Sequence, residues 1–122
     1  MQWSFNNDVP IYIQLVEQLK IFIITGVYQA GQKIPSVREL AMETKVNPNT
    51  MQKALVELEN LGLIITQRTS GKFVTEDKQL VENLKNEIAK TKSKEFLLLM
   101  KKLNYSINEI VDCLKNIEGE ET

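Results

Sequence analysis

A chain of 122 residues has room for one domain of ordinary size, or a small domain with an accessory element. Hydrophobic residues at 43% and charged residues at 25% exclude wholesale disorder, and a net charge of −1 gives no overall cationic surface for nucleic acid or anionic lipid. No apolar run approaches the ~20 residues of a membrane span, and the start MQWSFNNDVP lacks the basic and apolar regions of a secretory signal, so a cytoplasmic protein without membrane contact is expected.

There is no histidine, which removes the commonest general base and the commonest transition-metal ligand. Cys113 is the only thiol, so it has no intrachain disulfide partner and a structural zinc site has no ligand set. Neither a phosphate-cradling glycine loop nor a nucleophile elbow occurs. We therefore expect no catalytic residues, no cofactor and no metal. Charge is unevenly spread: residues 1–75 carry seven basic and six acidic side chains, and the remainder eight and ten. Any phosphate binding must come from where the cations sit.

After Pro10, IYIQLVEQLKIFIIT places Ile11, Leu15, Leu19, Phe22 and Ile23 at helical spacing, with further apolar residues on other faces. Gly26 is a natural stop. Ser36 and Glu39 then form a capping box, predicting a helix from about Val37 to Thr44 that buries Val37, Leu40 and Ala41. A break at Lys45-Val46 leads to NPNTMQKALVELENLG, where Asn47 is a good N-cap and Pro48 suits the first helical position. Met51, Leu55, Leu58 and Leu61 form its inward stripe, and Gly62 ends it. LIITQ (63–67) and KFV (72–74) around RTSG (68–71) predict a short hairpin.

Beyond Val74 the chain becomes charged and helical, with no glycine or proline from Glu76 to Asn104. Apolar residues fall at Leu80, Leu84 and Ile88 and again from Phe96 to Leu103; AKTKSKE between them has a weak apolar face and is a candidate bend. Ser106 and Glu109 form a second capping box, opening a helix with Ile107, Ile110, Val111, Leu114 and Ile117 on one stripe before a fraying GEET. These two helices cannot cover both stripes against each other, and a second copy of the chain is the economical cover. Helix, helix, turn, helix, hairpin is the order of a winged helix-turn-helix whose third helix reads DNA.

PIYIQLVEQLK, KIPSVRELAMETKVNPNTMQKALVELENLGLI and RTSGKFV, in this order and spacing, resemble the GntR family of bacterial transcription regulators over roughly residues 9–75. The short two-helix tail resembles the YtrA-like branch, which lacks large effector domains. The resemblance implies a mainly α fold with a small β-hairpin: a winged helix-turn-helix in residues 1–75 and an α-helical dimerisation tail in residues 76–122. It implies a homodimeric repressor on double-stranded DNA, with a palindromic operator of a transporter or cell-envelope stress operon, and with any small-molecule effector unknown.

The polar run at the start of the third helix then serves as both cap and contact surface: Asn47, Asn49, Thr50, Gln52 and Lys53 present amides, a hydroxyl and an ammonium suited to base edges and phosphates. Arg38 occupies the position of the family's DNA-contacting arginine, although pairing with Glu39 or Glu43 is the plain alternative. Arg68, Ser70, Gly71 and Lys72 form the wing tip, which by resemblance reaches the minor groove. Thr69 stands where the family pattern has its first glycine and Lys72 where it has threonine, so Lys72 adds a phosphate-binding charge. Trp3 and Phe5 read as anchors of the N-terminus, and nothing beside Cys113 marks it as a redox sensor. The rival reading from another class is a winged-helix module whose third helix docks a protein.

Overall fold

The computed structural model describes residues 2–121, arranged as α1 (Ile11–Ile24), α2 (Val37–Thr44), α3 (Pro48–Asn60), β1 (Ile64–Gln67), β2 (Gly71–Val74), α4 (Lys78–Lys102) and α5 (Ile107–Glu121). It divides into two units, the first ending at Leu84 and the second beginning at Lys85, so the division falls inside α4.

The first unit is built around α3. Met51, Ala54, Leu55 and Leu58 lie on one stripe and are completely buried, as are Leu15 and Leu19 of α1, Leu40 of α2 and Leu63 after α3. Ile23, Tyr28, Ile34, Ile64 and Val74 complete this core, with Val81 and Leu84 from the first turns of α4 packed against it. Each fully buried leucine adds roughly 1.5–3 kcal/mol of transfer free energy.

The predicted caps are all present. Ser36 Oγ accepts from the Glu39 amide at 3.1 Å while Glu39 returns a carboxylate to the Ser36 amide at 3.2 Å. Asn47 Oδ1 accepts from the Asn49 amide at 2.8 Å, with Pro48 at the first helical position. Lys45 ends α2 in the left-handed region at φ 58°, which turns the chain between α2 and α3 within three residues.

β1 and β2 pair antiparallel with Ile64 opposite Val74 and Gln67 opposite Gly71. Gly71 thus belongs to the second strand rather than to the turn. The hairpin also gains a third partner from the loop after α1: Lys33 bridges Phe73, and the Ile34 amide donates to the Lys72 carbonyl at 3.0 Å. The N-terminal residues are strapped to α1, since buried Gln14 donates to the carbonyls of Asn6 and Val9 and accepts from the Asn6 amide. Trp3 meets Phe22 edge-on at 5.0 Å and donates its indole N–H to Glu43 at 2.6 Å.

In the second unit two expectations are corrected. AKTKSKE does not bend: α4 is one helix of 25 residues, because alanine, lysine and glutamate sustain helix without an apolar face. The last residues do not fray before Glu121, which is still helical. The turn to α5 has Asn104 at φ 68° and Tyr105 donating back to the Met100 carbonyl at 3.0 Å, a left-handed helix ending. Ser106 and Glu109 form the second capping box. From Lys85 to Glu121 only Met100 and Ile110 are buried, whereas Leu98, Leu99, Leu103 and Ile107 are each more than half exposed.

Two outcomes follow for stability. Leu55→Ala should lower it by about 2–5 kcal/mol, read from chemical denaturation, since a fully buried leucine leaves a cavity in a packed stripe; a loss under ~1 kcal/mol would contradict the core described. The hydrogen bonds from Ser36 hold the Glu39 carboxyl below its ordinary 4.5, with Lys33 adding a smaller pull. A lowered folded-state value means that this cap stabilises above the ordinary value and is lost as pH falls through the lowered one. Glu39→Gln should therefore flatten part of the acid-side decline in thermal midpoint, and an identical decline in both proteins would rule the linkage out.

Candidate nucleic-acid interface

Because Met51, Ala54, Leu55 and Leu58 point inward, helical geometry forces Asn49, Gln52, Lys53 and Val56 onto the opposite face, and all four are exposed. Asn49, Gln52 and Lys53 form a polar strip, with Val56 beyond it, beginning at the exposed N-terminal end of α3, where backbone N–H groups and the positive dipole end favour phosphate. Asn47 is exposed at the head of the strip with its carbonyl oxygen committed to the cap, which leaves its amide NH2 available. Thr50 is half-buried and turns aside, lining a shallow depression with Phe5, Ile11, Thr44 and Val46.

Lys53 is not free in solvent. Its ammonium sits 4.4 Å from the centroid of the Tyr12 ring, a cation–π contact from α3 to α1, and the Tyr12 hydroxyl donates to Glu57 at 3.5 Å. Reaching a base therefore exchanges one favourable contact for another. Arg38, in the first turn of α2, is exposed and pairs with neither Glu39 nor Glu43. Glu39 is taken by the cap and Glu43 by Trp3, so the plain alternative for Arg38 does not occur.

At the wing, Arg68, Thr69 and Ser70 form an exposed tip, closed by the Ser70 amide donating to the Gln67 carbonyl at 3.2 Å. Gly71 has φ 110°, a conformation closed to other residues. Lys72 behaves differently from the expectation of a free phosphate-binding charge: its ammonium pairs with Glu59 of α3 and donates to Thr66 Oγ1 at 3.0 Å. Burial opposes ionisation of Glu59, yet the bonds from Lys72 and Thr66 hold its carboxyl below the usual range.

The sequence reading passed over Lys33. Its side chain lies across Gly71, with Cε 3.0 Å from where a β-carbon would stand, and with Arg38 and Glu39 it lines a groove of about 420 Å3 between the start of α2 and the wing. The bridge to Phe73 and the backbone bonds of Gly31, Gln32 and Ile34 to β2 bring it there, and so short an attachment leaves no periodic trace in a loop. Among the described residues no cluster of side chains could hold a metal ion, and no helix is long and apolar enough to cross a membrane.

Residues 11–74 match the family described as bacterial regulatory proteins, gntR family. An uncharacterised HTH-type transcriptional regulator of Bacillus subtilis, YhcF, is 36% identical over 94% of this chain and 95% of its own length. The HTH-type transcriptional repressor YtrA of the same organism is 34% identical over 93% of this chain and 88% of its own length. Among solved structures, a GntR family transcriptional regulator from Listeria monocytogenes superposes with a TM-score of 0.88 at 44% identity, covering 92% of this chain and 98% of that one. The DNA-binding domain of AraR, in complex with operator ORX1, has a TM-score of 0.55 at 30% identity over 59% of this chain and 93% of its own. The strip on α3, the wing beside it and this set of relatives converge: the chain belongs to the GntR family of bacterial transcription regulators and carries that family's winged helix-turn-helix DNA-binding domain.

Proposed function

We propose that this chain is a cytoplasmic, homodimeric repressor that occupies a palindromic operator, with residues 1–75 binding DNA and residues 76–122 forming the dimer contact. The observation that carries the reading is the exposed strip Asn49, Gln52 and Lys53 at the open end of α3, flanked by Arg38 and the wing tip. In a major groove, asparagine and glutamine match the N6/N7 edge of adenine, and lysine matches O6/N7 of guanine. Arg38 has a planar fork free to grip a guanine or a phosphate, and Arg68, Ser70 and Gly71 approach the neighbouring minor groove. Repression is supported by the name of the similar YtrA protein, and operator binding by the AraR domain's complex.

Dimerisation is supported by the second unit. Leu103 is 57% exposed and Leu114 and Ile117 nearly half, an apolar area that a single copy leaves to water. A two-fold axis through the tails sets two α3 helices against two half-sites about one helical turn apart. A transporter or cell-envelope stress operon is the target we assign, on resemblance to YtrA-like regulators. Function here is an occupancy equilibrium with no chemical step, and the phosphate contacts make it steeply salt-dependent.

Arg38→Ala and Lys53→Ala should each weaken binding to a labelled fragment of the protein's own upstream region by more than ~1 kcal/mol, with circular dichroism unchanged. Unaltered affinity in both would remove them from the site. Loss of all retention on DNA at low salt, with the fold intact, would favour the rival in which α3 docks a protein.

A further inference from the structure

We infer that Lys33, and not Lys72, is the phosphate contact of the wing, and that the Lys72–Glu59 pair is a tether fixing the wing to the reader helix. This rests on the DNA-binding reading above and assigns roles within it.

Two lysines lie beside Gly71 and line the groove between α2 and the wing. Their surroundings differ. Lys72 is enclosed, with 17% of its side chain exposed and its ammonium held by Glu59 and Thr66. A lysine already matched by a carboxylate presents almost no net charge to a phosphate, and leaving that pair would strand Glu59. What the pair does instead is connect elements: Glu59 lies in the last turn of α3, Thr66 in β1 and Lys72 in β2, so one cation ties both strands to the helix.

Lys33 is exposed and makes no ion pair among the described residues. Its backbone is fixed by the bridge to Phe73 and by the neighbouring Ile34 amide on the Lys72 carbonyl, so the side chain leaves from a rigid base. It lies across Gly71, where a side chain would crowd it, and lines the same groove as the exposed Arg38. Lys33 and Arg38, neither of them in an ion pair among the described residues, line this groove together with Glu39, whose carboxylate is engaged by the Ser36 amide, and two such cations are an arrangement that takes a backbone phosphate of duplex DNA. Such a contact is blind to base sequence and fixes the register of α3.

The experiment is fluorescence anisotropy of the full chain on a labelled random-sequence duplex of about 30 base pairs, over roughly 50–200 mM KCl. Lys33→Gln should lower the slope of log K against log salt by about 0.9, one phosphate contact. Lys72→Met should keep the wild-type slope while weakening binding about two- to fivefold, as expected for a lost partly exposed pair; Lys72→Arg, which still reaches Glu59, should restore it. Glu59→Gln should weaken binding as well. A wild-type slope in Lys33→Gln would overturn the assignment of Lys33. A lowered slope in Lys72→Met, or tighter binding in Glu59→Gln, would overturn the tether by showing that Lys72 meets phosphate. If the wild type does not bind the duplex at all, the DNA-binding reading itself fails, a result distinct from either.

Discussion

Burial of one stripe of α3 is the constraint on which the rest depends. Met51, Ala54, Leu55 and Leu58 are sealed in one core with Leu15 and Leu19 of α1 and Leu40 of α2. A helix held so firmly by one face has no freedom to rotate, and the residues 180° away are committed to solvent. Rotation by a single residue, about 100°, would bring polar side chains into the core at a cost of several kcal/mol. The interior of the domain thus decides which side chains of α3 are presented to solvent, although none of the buried residues is itself exposed.

Local devices set where that helix begins and what stands beside it. The left-handed Lys45 and the Asn47 cap place the start of α3 at the surface, and the capping box of α2 presents Arg38 two residues after Ser36, in the first turn. The wing is held by three sources of order: two paired strands, the bridge from Lys33 to Phe73, and the ion pair from Lys72 to Glu59. A two-stranded hairpin alone is marginal in water, so these attachments are what make a four-residue-per-strand wing a defined surface. The tail follows another logic. Its helices are long, yet from Lys85 to Glu121 they bury only Met100 and Ile110, and Leu98, Leu99, Leu103 and Ile107 are left more than half exposed.

Much of this was legible in the residues. Ser36-x-x-Glu39, Asn47-Pro48 and Ser106-x-x-Glu109 are start signals with a chemical mechanism, and each helix begins where they stand. The α3 stripe repeats at helical spacing, so its burial was readable, and with it the exposure of Asn49, Gln52 and Lys53. What escaped was non-periodic or non-local. AKTKSKE looked like a break because it lacks an apolar face, but helical propensity alone carries α4 through it. The partners of Lys72 and Lys53 lie 13 and 41 residues away in sequence, and pairing at such distance has no local signature. Lys33 stands in a loop whose attachment to the hairpin is a short run of backbone bonds over residues 31–34, too brief to leave a strand pattern.

The central claim is that α3 reads base sequence as part of a two-fold dimer, and selection of binding sites from a random-sequence duplex pool by the full chain tests it most directly. The account predicts enrichment of an inverted repeat whose half-sites lie about one helical turn apart. Recovery of a pool with no shared sequence, from a protein that remains folded throughout, would contradict it.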